Sequence, residues 1–384
     1  MATNTEEEAG LKRRLILRDT VTFLVLSAII LVLFFVTLFL FRSFETHRRD
    51  LAKRWADRGL VAFRAHQPEQ AIADYRTALS YTPGERSYEL LLAEALGQAG
   101  RTEEAYNYFT GLWETRPGDG FINLQLARLS VTKHDMPGAV NFYHGSIFGN
   151  WQGDGVERRR AVRLELAQYL IEQHQLNSAK AELLIAGGNA PNIPALDITL
   201  GGLLEQTGDP QDALGFYQKA LVKEPRNQTA LSRAGQLAYT LGDYAQARRL
   251  LGRATREQPQ NEQDAALLSQ AERIQQLSLA DTLSARERVD RILTARAIVK
   301  RRLTDCTAAS PDNTLQPLTS RWTGEAATTS RMALLHDSDK QAAAVQLLYD
   351  TEIETSEQCA APTGDDALLL LLAHAAAQEE ARHR

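Results

Sequence analysis

The pattern of hydrophobic positions changes along the chain, and its first feature is a long apolar run. In residues 21–41, 18 of 21 side chains are apolar, the exceptions being Thr22, Ser27 and Thr37. As a helix with a rise of about 1.5 Å per residue, this run spans roughly 31 Å, the hydrocarbon thickness of a bilayer. Large residues such as Phe44 follow the run where a signal peptidase requires small ones. We therefore predict an uncleaved transmembrane helix.

From residue 52 onward the pattern becomes periodic. Six units of 34 residues share an alanine at unit position 20, and five of them share a proline at position 32, where Trp151 stands in the third unit. A small residue at positions 8 and 20 lets two helices of one unit approach closely, and the proline ends the second helix because it lacks an N–H donor. The units are 52–85, 86–119, 120–153, 160–193, 194–227 and 228–261.

These units resemble the tetratricopeptide repeat family over a little over half of the chain. The resemblance implies an α-solenoid of about six helix-turn-helix repeats. The whole chain is thus predicted to be all-α, with a single N-terminal transmembrane helix, the solenoid and a C-terminal helical segment. The predicted parts are a cytoplasmic-type tail 1–20, the transmembrane helix 21–41, a stalk 42–51, the solenoid 52–261, capping helices 262–304, a linker 305–330 and C-terminal helices 331–384.

Composition and motifs exclude several classes of function. The 43 Lys and Arg residues against 48 Asp and Glu leave a formal net charge of −5, which argues against a nucleic-acid partner. The sequence lacks phosphate-loop, dinucleotide-binding, zinc-protease and hydrolase-elbow motifs, and two cysteines are too few for a zinc cluster. We therefore predict that the protein is not an enzyme and has no catalytic residues, no metal and no cofactor.

Cys306 and Cys359 are the only cysteines. In an oxidising compartment they would form a disulfide that closes a loop of 53 residues, and this closure would stabilise the fold by roughly 4 kcal/mol. Two separate buried thiols are the alternative.

A binding groove follows from the resemblance. In tetratricopeptide repeat proteins the first helix of each unit lines a concave groove, so a protein or peptide partner is implied. Where chaperone-binding members hold a terminal carboxylate with Lys, Asn and Arg, this chain has Ala56, Leu60, Leu91, Phe121 and Gln125. We therefore expect an amphipathic or extended peptide instead. The implied groove residues are Phe63, Arg64, Leu90, Glu94, Gln98, Phe121, Arg128, Gln168, Glu172, Glu205, Gln206, Gln236 and Tyr239.

Together these features predict a single-pass scaffold that gathers protein partners at a membrane, for envelope assembly or quality control, with the bilayer contacting residues 21–41. In the alternative, the repeats position a ligand-binding or enzymatic domain formed by residues 262–384, and self-association is a third hypothesis. Four cations in the short tail, from Lys12 to Arg18, resist translocation. We expect a bacterial inner membrane protein with its repeats outside the cytoplasm.

Overall fold

The structure is a computed structural model that describes residues 3–188, 190–280, 282–309 and 315–383. These residues form 19 helices, and no strand occurs among them beyond one isolated bridge between Asp119 and Asn150. The prediction of an all-α chain is therefore confirmed. The chain divides into two compact units, each larger than a single 34-residue repeat. We call Met1–Leu166 the first unit and Ala167–Arg384 the second unit, and each is described by itself.

The first unit begins with α1, Thr3–Arg64, a single helix of 62 residues. Between residues 11 and 58 the sequence contains neither glycine nor proline, so nothing interrupts the ladder of backbone hydrogen bonds. By length and composition alone, this is the one helix in the described part of the chain that could cross a membrane. The same helix continues without a break into the first repeat.

Paired antiparallel helices follow α1 in the first unit. Helix α1 packs on α2, α3 on α4, and α5 on α6, as the helix-turn-helix pattern predicts. Asp119 and Asp135 cap α5 and α6, since their side chains accept hydrogen bonds from backbone N–H groups of the first turn. The bounds are α2 Pro68–Tyr81, α3 Arg86–Gln98, α4 Thr102–Thr115, α5 Gly120–Thr132, α6 Met136–Phe148 and α7 Gly155–Glu172, which runs into the second unit.

The second unit continues with paired helices and ends in a helical cluster. Helices α9 and α10, and then α11 and α12, pack as pairs, and α13 packs on α12. The bounds are α8 Leu176–Gly188, α9 Pro194–Gln206, α10 Pro210–Lys223, α11 Gln228–Thr240, α12 Tyr244–Glu257, α13 Glu262–Leu277, α14 Ala285–Ala309, α15 Gln316–Arg321, α16 Glu325–Thr328, α17 Arg331–His336, α18 Ser338–Gln358 and α19 Asp365–His383.

Close packing within the pairs depends on the small residues at unit position 8. A Cβ atom built on Gly59 would lie 2.7 Å from Cε1 of Tyr75, and one built on Gly201 would lie 2.9 Å from Cζ of Tyr217. Neither distance is tolerable, so both positions require glycine. The six alanines at unit position 20, from Ala71 to Ala247, are all fully buried.

The turn inside each unit falls at unit position 15 and takes a left-handed backbone conformation. Gly100, Gly208 and Gly242 have φ values of 74°, 79° and 81°. In the other three units this position is a histidine, and His66, His134 and His174 have φ values of 55° to 57°. Among residues with a side chain, histidine enters this region more readily than most. These three histidines therefore form the turns between the two helices of their repeats.

The predicted linker, 305–330, is wrong for the residues that the structure describes. Helix α14 extends to Ala309, and α15 and α16 occupy much of the remainder. Leu318 and Trp322 are buried, and the indole N–H of Trp322 donates to Oγ1 of Thr351 at 3.0 Å. The segment is rich in Thr, Ser and Pro, a composition typical of a loop, but the apolar side chains of Leu318 and Trp322 anchor it. Residues 310–314 lie outside the described residues.

We call the core around these helices the C-terminal cluster. It contains buried side chains of α14, α17, α18 and α19, together with Leu318 and Trp322. The leucine run at the start of α19 joins it through Leu368, Leu369 and Leu372, as expected for an apolar run too short to span a bilayer. Its central members are Val289, Ile292, Val299, Leu334, Leu347 and Leu369.

Candidate functional site

In the first compact unit, Met1–Leu166, the first helices of successive 34-residue repeats enclose a pocket of about 300 Å³. Phe63 of α1 forms one side, and Glu94 and Gln98 of α3 lie next to it. Gln125 and Arg128 of α5 close the opposite side. The 34-residue period explains this convergence, because residues at equal unit positions fall on the same face of consecutive stacked helices.

Arg128 is held in place by an acidic neighbour. Its guanidinium donates two hydrogen bonds of 2.8 Å to the carboxylate of Glu165, and the hydroxyl of Tyr143 donates to Glu165 at 3.0 Å. Burial alone would raise the pKa of Glu165, but the hydrogen bonds from Arg128 and Tyr143 outweigh it, and the pKa is lowered. Arg128 therefore brings a largely neutralised, well-oriented donor to the pocket.

Glu94 is the acidic group at the pocket itself. It is half-buried, and burial raises the pKa of its carboxyl group above the ordinary value. Below it lies Tyr75, whose buried hydroxyl has no hydrogen-bond partner in the described part of the chain and whose pKa burial raises to about 12. A ligand that offers Glu94 a hydrogen-bond donor or a cation would offset this desolvation.

Gln98 and His66 form the rim. Nε2 of Gln98 lies 3.2 Å from Nδ1 of His66, the turn residue of the first repeat, 52–85. The pocket thus combines two phenylalanine rings, two primary amides and one half-buried carboxyl group. Such a surface suits a peptide, whose backbone and side chains present the same mixture of groups.

Four of the seven groove residues predicted in the first unit line this pocket, namely Phe63, Glu94, Gln98 and Arg128. Leu90 and Phe121 instead pack against the buried cluster of Phe109, Leu112 and Ile122, and Arg64 is exposed on α1. Apolar residues near a groove also serve the stack of helices, and the period alone cannot separate the two roles.

Six lining residues were missing from the prediction, and three of them, Ala93, Phe109 and Leu129, are apolar side chains that also pack in the core. The other three are Gln125, Thr132 and Gly97. All predicted groove residues stand at unit positions 2, 5, 9, 12 or 13. Thr132 and Gly97 occupy positions 13 and 12, so a strict application of the period would have found them. Gln125 falls at unit position 6, which is not one of these five positions.

In the second unit, the predicted groove residues form two polar networks. Glu205 accepts a hydrogen bond of 2.5 Å from the hydroxyl of Tyr217 and lies 3.5 Å from Nε of Arg233. Gln236 donates to Oδ1 of Asp264 at 2.8 Å. These contacts link each first helix to the next one.

The remaining predicted residues of the second unit are more peripheral. Tyr239 donates to Oε1 of Gln270 at 2.8 Å and so connects α11 to α13. Gln206 donates within its own helix, to the carbonyl of Gly202 at 3.3 Å. Gln168 and Glu172 are exposed on α7.

The two cysteines meet beside the C-terminal cluster. The sulfur atoms of Cys306 in α14 and Cys359 after α18 are joined, with the Cα atoms 5.8 Å apart, a separation typical of disulfides. Arg302 crosses the same region and donates to the carbonyl of Ala360 at 3.0 Å. Among the described residues, no group of three or more His, Cys, Asp or Glu side chains is placed to hold a metal ion.

Comparison with known proteins gives two matches to family models, both described as tetratricopeptide repeat. They cover residues 56–119 and 204–271. No curated protein matches the sequence.

Among solved structures, the chain is similar to PilW, a widely conserved type IV pilus biogenesis factor, with 17% identity over 56% of this chain and 98% of that one, at a TM-score of 0.39. The C-terminal part of a repeat protein from Cytophaga hutchinsonii is 16% identical over 60% and 92% of the two chains, at a TM-score of 0.47. PilF of Pseudomonas aeruginosa is 18% identical over 56% and 91%, at a TM-score of 0.33.

Each family match covers about two units of the 34-residue period, one near the start of the predicted solenoid and one near its end. The helices in both segments pair as the period requires, with glycine or alanine at the points of closest approach. On this evidence, the chain belongs to the tetratricopeptide repeat family.

Proposed function

We propose that this protein is a membrane-anchored scaffold that binds a peptide segment of a protein partner in the pocket of the first unit. Tetratricopeptide repeats are protein-interaction modules whose stacked helices offer extended concave surfaces. The observation that carries the proposal is the pocket of about 300 Å³, where Phe63, Glu94, Gln98 and Gln125 converge from three different helices.

The chemistry of the pocket indicates the type of segment. Phe63 offers an apolar contact, and the amides of Gln98 and Gln125 can pair with a peptide backbone. Glu94 favours a donor or a cation on the ligand, because its carboxyl group is partly desolvated. Arg128 is already paired with Glu165, so a free C-terminal carboxylate gains little there. An extended segment with one apolar anchor and a neutral or basic neighbour fits best.

Site-specific photo-crosslinking in the full chain tests this proposal. A photoreactive phenylalanine analogue replaces Phe63 in the pocket or, as a matched control, Tyr108, an exposed aromatic residue on the second helix α4. We expect a discrete crosslinked partner from position 63 that is absent from position 108. Equal crosslinking from both positions, or none from position 63, would reject the pocket as the binding site.

The membrane placement is part of the same proposal. The apolar segment of α1 supports it, because side chains such as Phe23, Phe39 and Leu40 are exposed in the structure and need an apolar environment. We propose an inner membrane location with the repeats outside the cytoplasm, where a disulfide between Cys306 and Cys359 would persist. A role in envelope assembly or quality control would follow from that location.

Two measurements on sealed cells test the placement. Protease added to spheroplasts should degrade the repeats while the short tail stays protected, and the reverse pattern would invert the topology. Thiol alkylation without a reductant should leave Cys306 and Cys359 unlabelled. Complete labelling of both cysteines would contradict the disulfide in the cell.

Residues 262–384 are better explained as the end of the scaffold than as a separate ligand-binding or enzymatic domain. They belong to the same compact unit as the last repeats. Helix α13 packs on α12, and Arg273 of α13 donates to both carboxylate oxygens of Asp365 in α19, at 2.8 and 2.6 Å. A helical end that covers the last repeat protects its apolar face from solvent.

A further inference from the structure

A second surface of this protein is strongly basic, although the chain as a whole carries a net charge of −5. It lies on α12, the second helix of the last repeat, and consists of two neighbouring pockets of about 500 and 390 Å³ that share Arg253 and Arg256. We call this surface the α12 patch. Its charged members are the arginines Arg226, Arg248, Arg249, Arg253 and Arg256 and the glutamates Glu257 and Glu272.

The arginines of α12 are not neutralised by neighbours. In the part of the chain that the structure describes, Glu257 lies 3.7 Å from Arg226, whereas none of the four arginines on α12 forms an ion pair. Arg253 donates to the carbonyl of Pro225 and Arg256 to that of Gly252. Five arginines against two glutamates leave an excess of three positive charges on this face.

The shape of the patch is that of a shallow trough. A Cβ atom added to Gly252 would meet only Cδ1 of Leu268, at 3.8 Å, so this glycine leaves a depression between the arginine side chains. Leu268 of α13 and the nearly buried Leu250 form an apolar lining at its base. Apolar lining and basic rim together suit a ligand that carries both apolar groups and negative charges.

The α12 patch is distinct from the groove. Within α13, Gln270 accepts the hydrogen bond from Tyr239 on the groove side. Leu268 and Glu272, which line the patch, lie two residues before and after Gln270, and each is rotated from it by about 200° around the helix. The two surfaces therefore lie on opposite sides of α13.

The spacing of the arginines identifies the form of the ligand. Arg249, Arg253 and Arg256 follow one face of α12, at separations of about 6 and about 4.5 Å along the helix axis. This row of about 10 Å is too long for a single phosphate group. In an extended peptide, alternate side chains are about 6.6 Å apart on one side, so carboxylates at every second residue meet successive guanidinium groups, which bind carboxylates with two parallel hydrogen bonds.

We propose that the α12 patch is a docking surface for an acidic, extended segment of a protein partner. Glu272 at its edge disfavours densely charged phosphate polymers, and the apolar base favours a polypeptide. The patch would operate independently of the groove, so that one molecule of the scaffold holds two partner segments at once.

A titration with the full chain in nanodiscs of neutral lipid tests this inference. The probe is a fluorescein-labelled peptide of six Glu-Ser repeats, followed by anisotropy, with six Gln-Ser repeats as the uncharged comparison. The test variant combines Arg248→Gln with Arg249→Gln, because both side chains are exposed and neither makes a described hydrogen bond. The control combines Arg286→Gln with Lys300→Gln, which removes the same charge from exposed positions on α14.

We expect saturable binding of the acidic peptide to the wild type. The affinity should be at least about tenfold weaker in the test variant, because the loss of a hydrogen bond between charged groups weakens binding by about this factor or more. In the control variant, the affinity should change by less than about twofold. Equal weakening in both variants, or no saturable binding, would overturn the proposal. Tighter binding of tripolyphosphate, oligothymidine or anionic liposomes, with the same loss in the test variant, would assign the patch to those ligands instead.

Discussion

Glu352 in α18 is a buried carboxyl group without a satisfying partner. Its side chain is fully buried, and neither oxygen accepts a hydrogen bond in the described part of the chain. Nε of Arg302 approaches only to 3.6 Å, because that guanidinium donates to Oγ1 of Thr355 and the carbonyl of Ala360, both at 3.0 Å. Burial, with a smaller contribution from Asp366, raises the pKa of Glu352 from 4.5 to about 8, against the opposing charge of Arg302.

This pKa shift predicts that the stability of the C-terminal cluster decreases as pH rises. Between the unfolded pKa of 4.5 and the folded pKa of about 8, the folded protein holds a proton that the unfolded chain has released. Each pH unit in this window lowers the free energy of unfolding by about 1.4 kcal/mol, and above it the loss levels off at roughly 5 kcal/mol.

The substitution Glu352→Gln removes this loss, since glutamine is uncharged at every pH and has nearly the same shape. Relative to the wild type, the variant should gain about 2 to 3 kcal/mol in stability when the pH is raised from about 5.5 to about 7.5. Some pH dependence will remain, because burial also raises the pKa of Asp366 nearby. Glu357→Gln is the matched control, being an exposed glutamate on the same helix.

Fluorine NMR of the full chain in detergent, labelled with 5-fluorotryptophan and titrated with urea, measures the effect locally. Trp322 is the only tryptophan of the second unit, and its indole N–H donates to Thr351, the neighbour of Glu352. Its resonance therefore reports unfolding of the cluster. If the unfolding free energies of wild type and Glu352→Gln run parallel over this pH range, the buried carboxylate does not control the stability.

Three further predictions concern the repeats and the disulfide. Gly201→Ala should be about 1 to 3 kcal/mol less stable than Gly202→Ala in urea unfolding, because only the first Cβ clashes with Tyr217, at 2.9 Å; equal stabilities would refute the packing argument. His134→Gly should raise the stability of the first unit by up to about 1 kcal/mol, since its φ of 57° strains a residue with a side chain, and a lower melting temperature would contradict this. Cys306→Ser should cost roughly 4 kcal/mol without a reductant and little with one, whereas a loss independent of reductant would show a packing role alone.

The sequence predicted the repeats well, because their physical requirements recur at fixed spacing. Glycine or alanine at unit position 8 and alanine at position 20 are forced by the approach of two helices, as the contact of Gly59 with Tyr75 shows. At the turn, glycine at unit position 15 is a recognisable signal in three of the six units. In the other three, His66, His134 and His174 stand at the same position, but histidine is a less specific signal for a positive φ.

Prediction was poorer where single side chains decide the structure. The segment around Leu318 and Trp322 looked like a linker by composition, yet these side chains are buried in the C-terminal cluster. In the groove, the period located the correct faces but did not separate Leu90, which packs against the core, from Glu94, which lines the pocket. Both distinctions depend on tertiary contacts that have no repeating signature.

If the proposed scaffold binds a partner that is itself in the membrane, the uninterrupted α1 helix sets a minimum length for that partner's linker. Phe63 follows the last residue of the apolar run, Phe41, by 22 residues within this one helix, so the pocket lies at most about 33 Å from the end of that run along the helix axis. A partner that is itself membrane-bound must cover this height with extended chain, which takes about 10 residues at 3.3 Å each when the helix stands upright. In a membrane-bound partner, the linker is the chain between its membrane segment and the residues that bind in the pocket. Shortening this linker below about 10 residues should abolish crosslinking at position 63. If the partner is soluble, the same deletion should leave crosslinking unchanged.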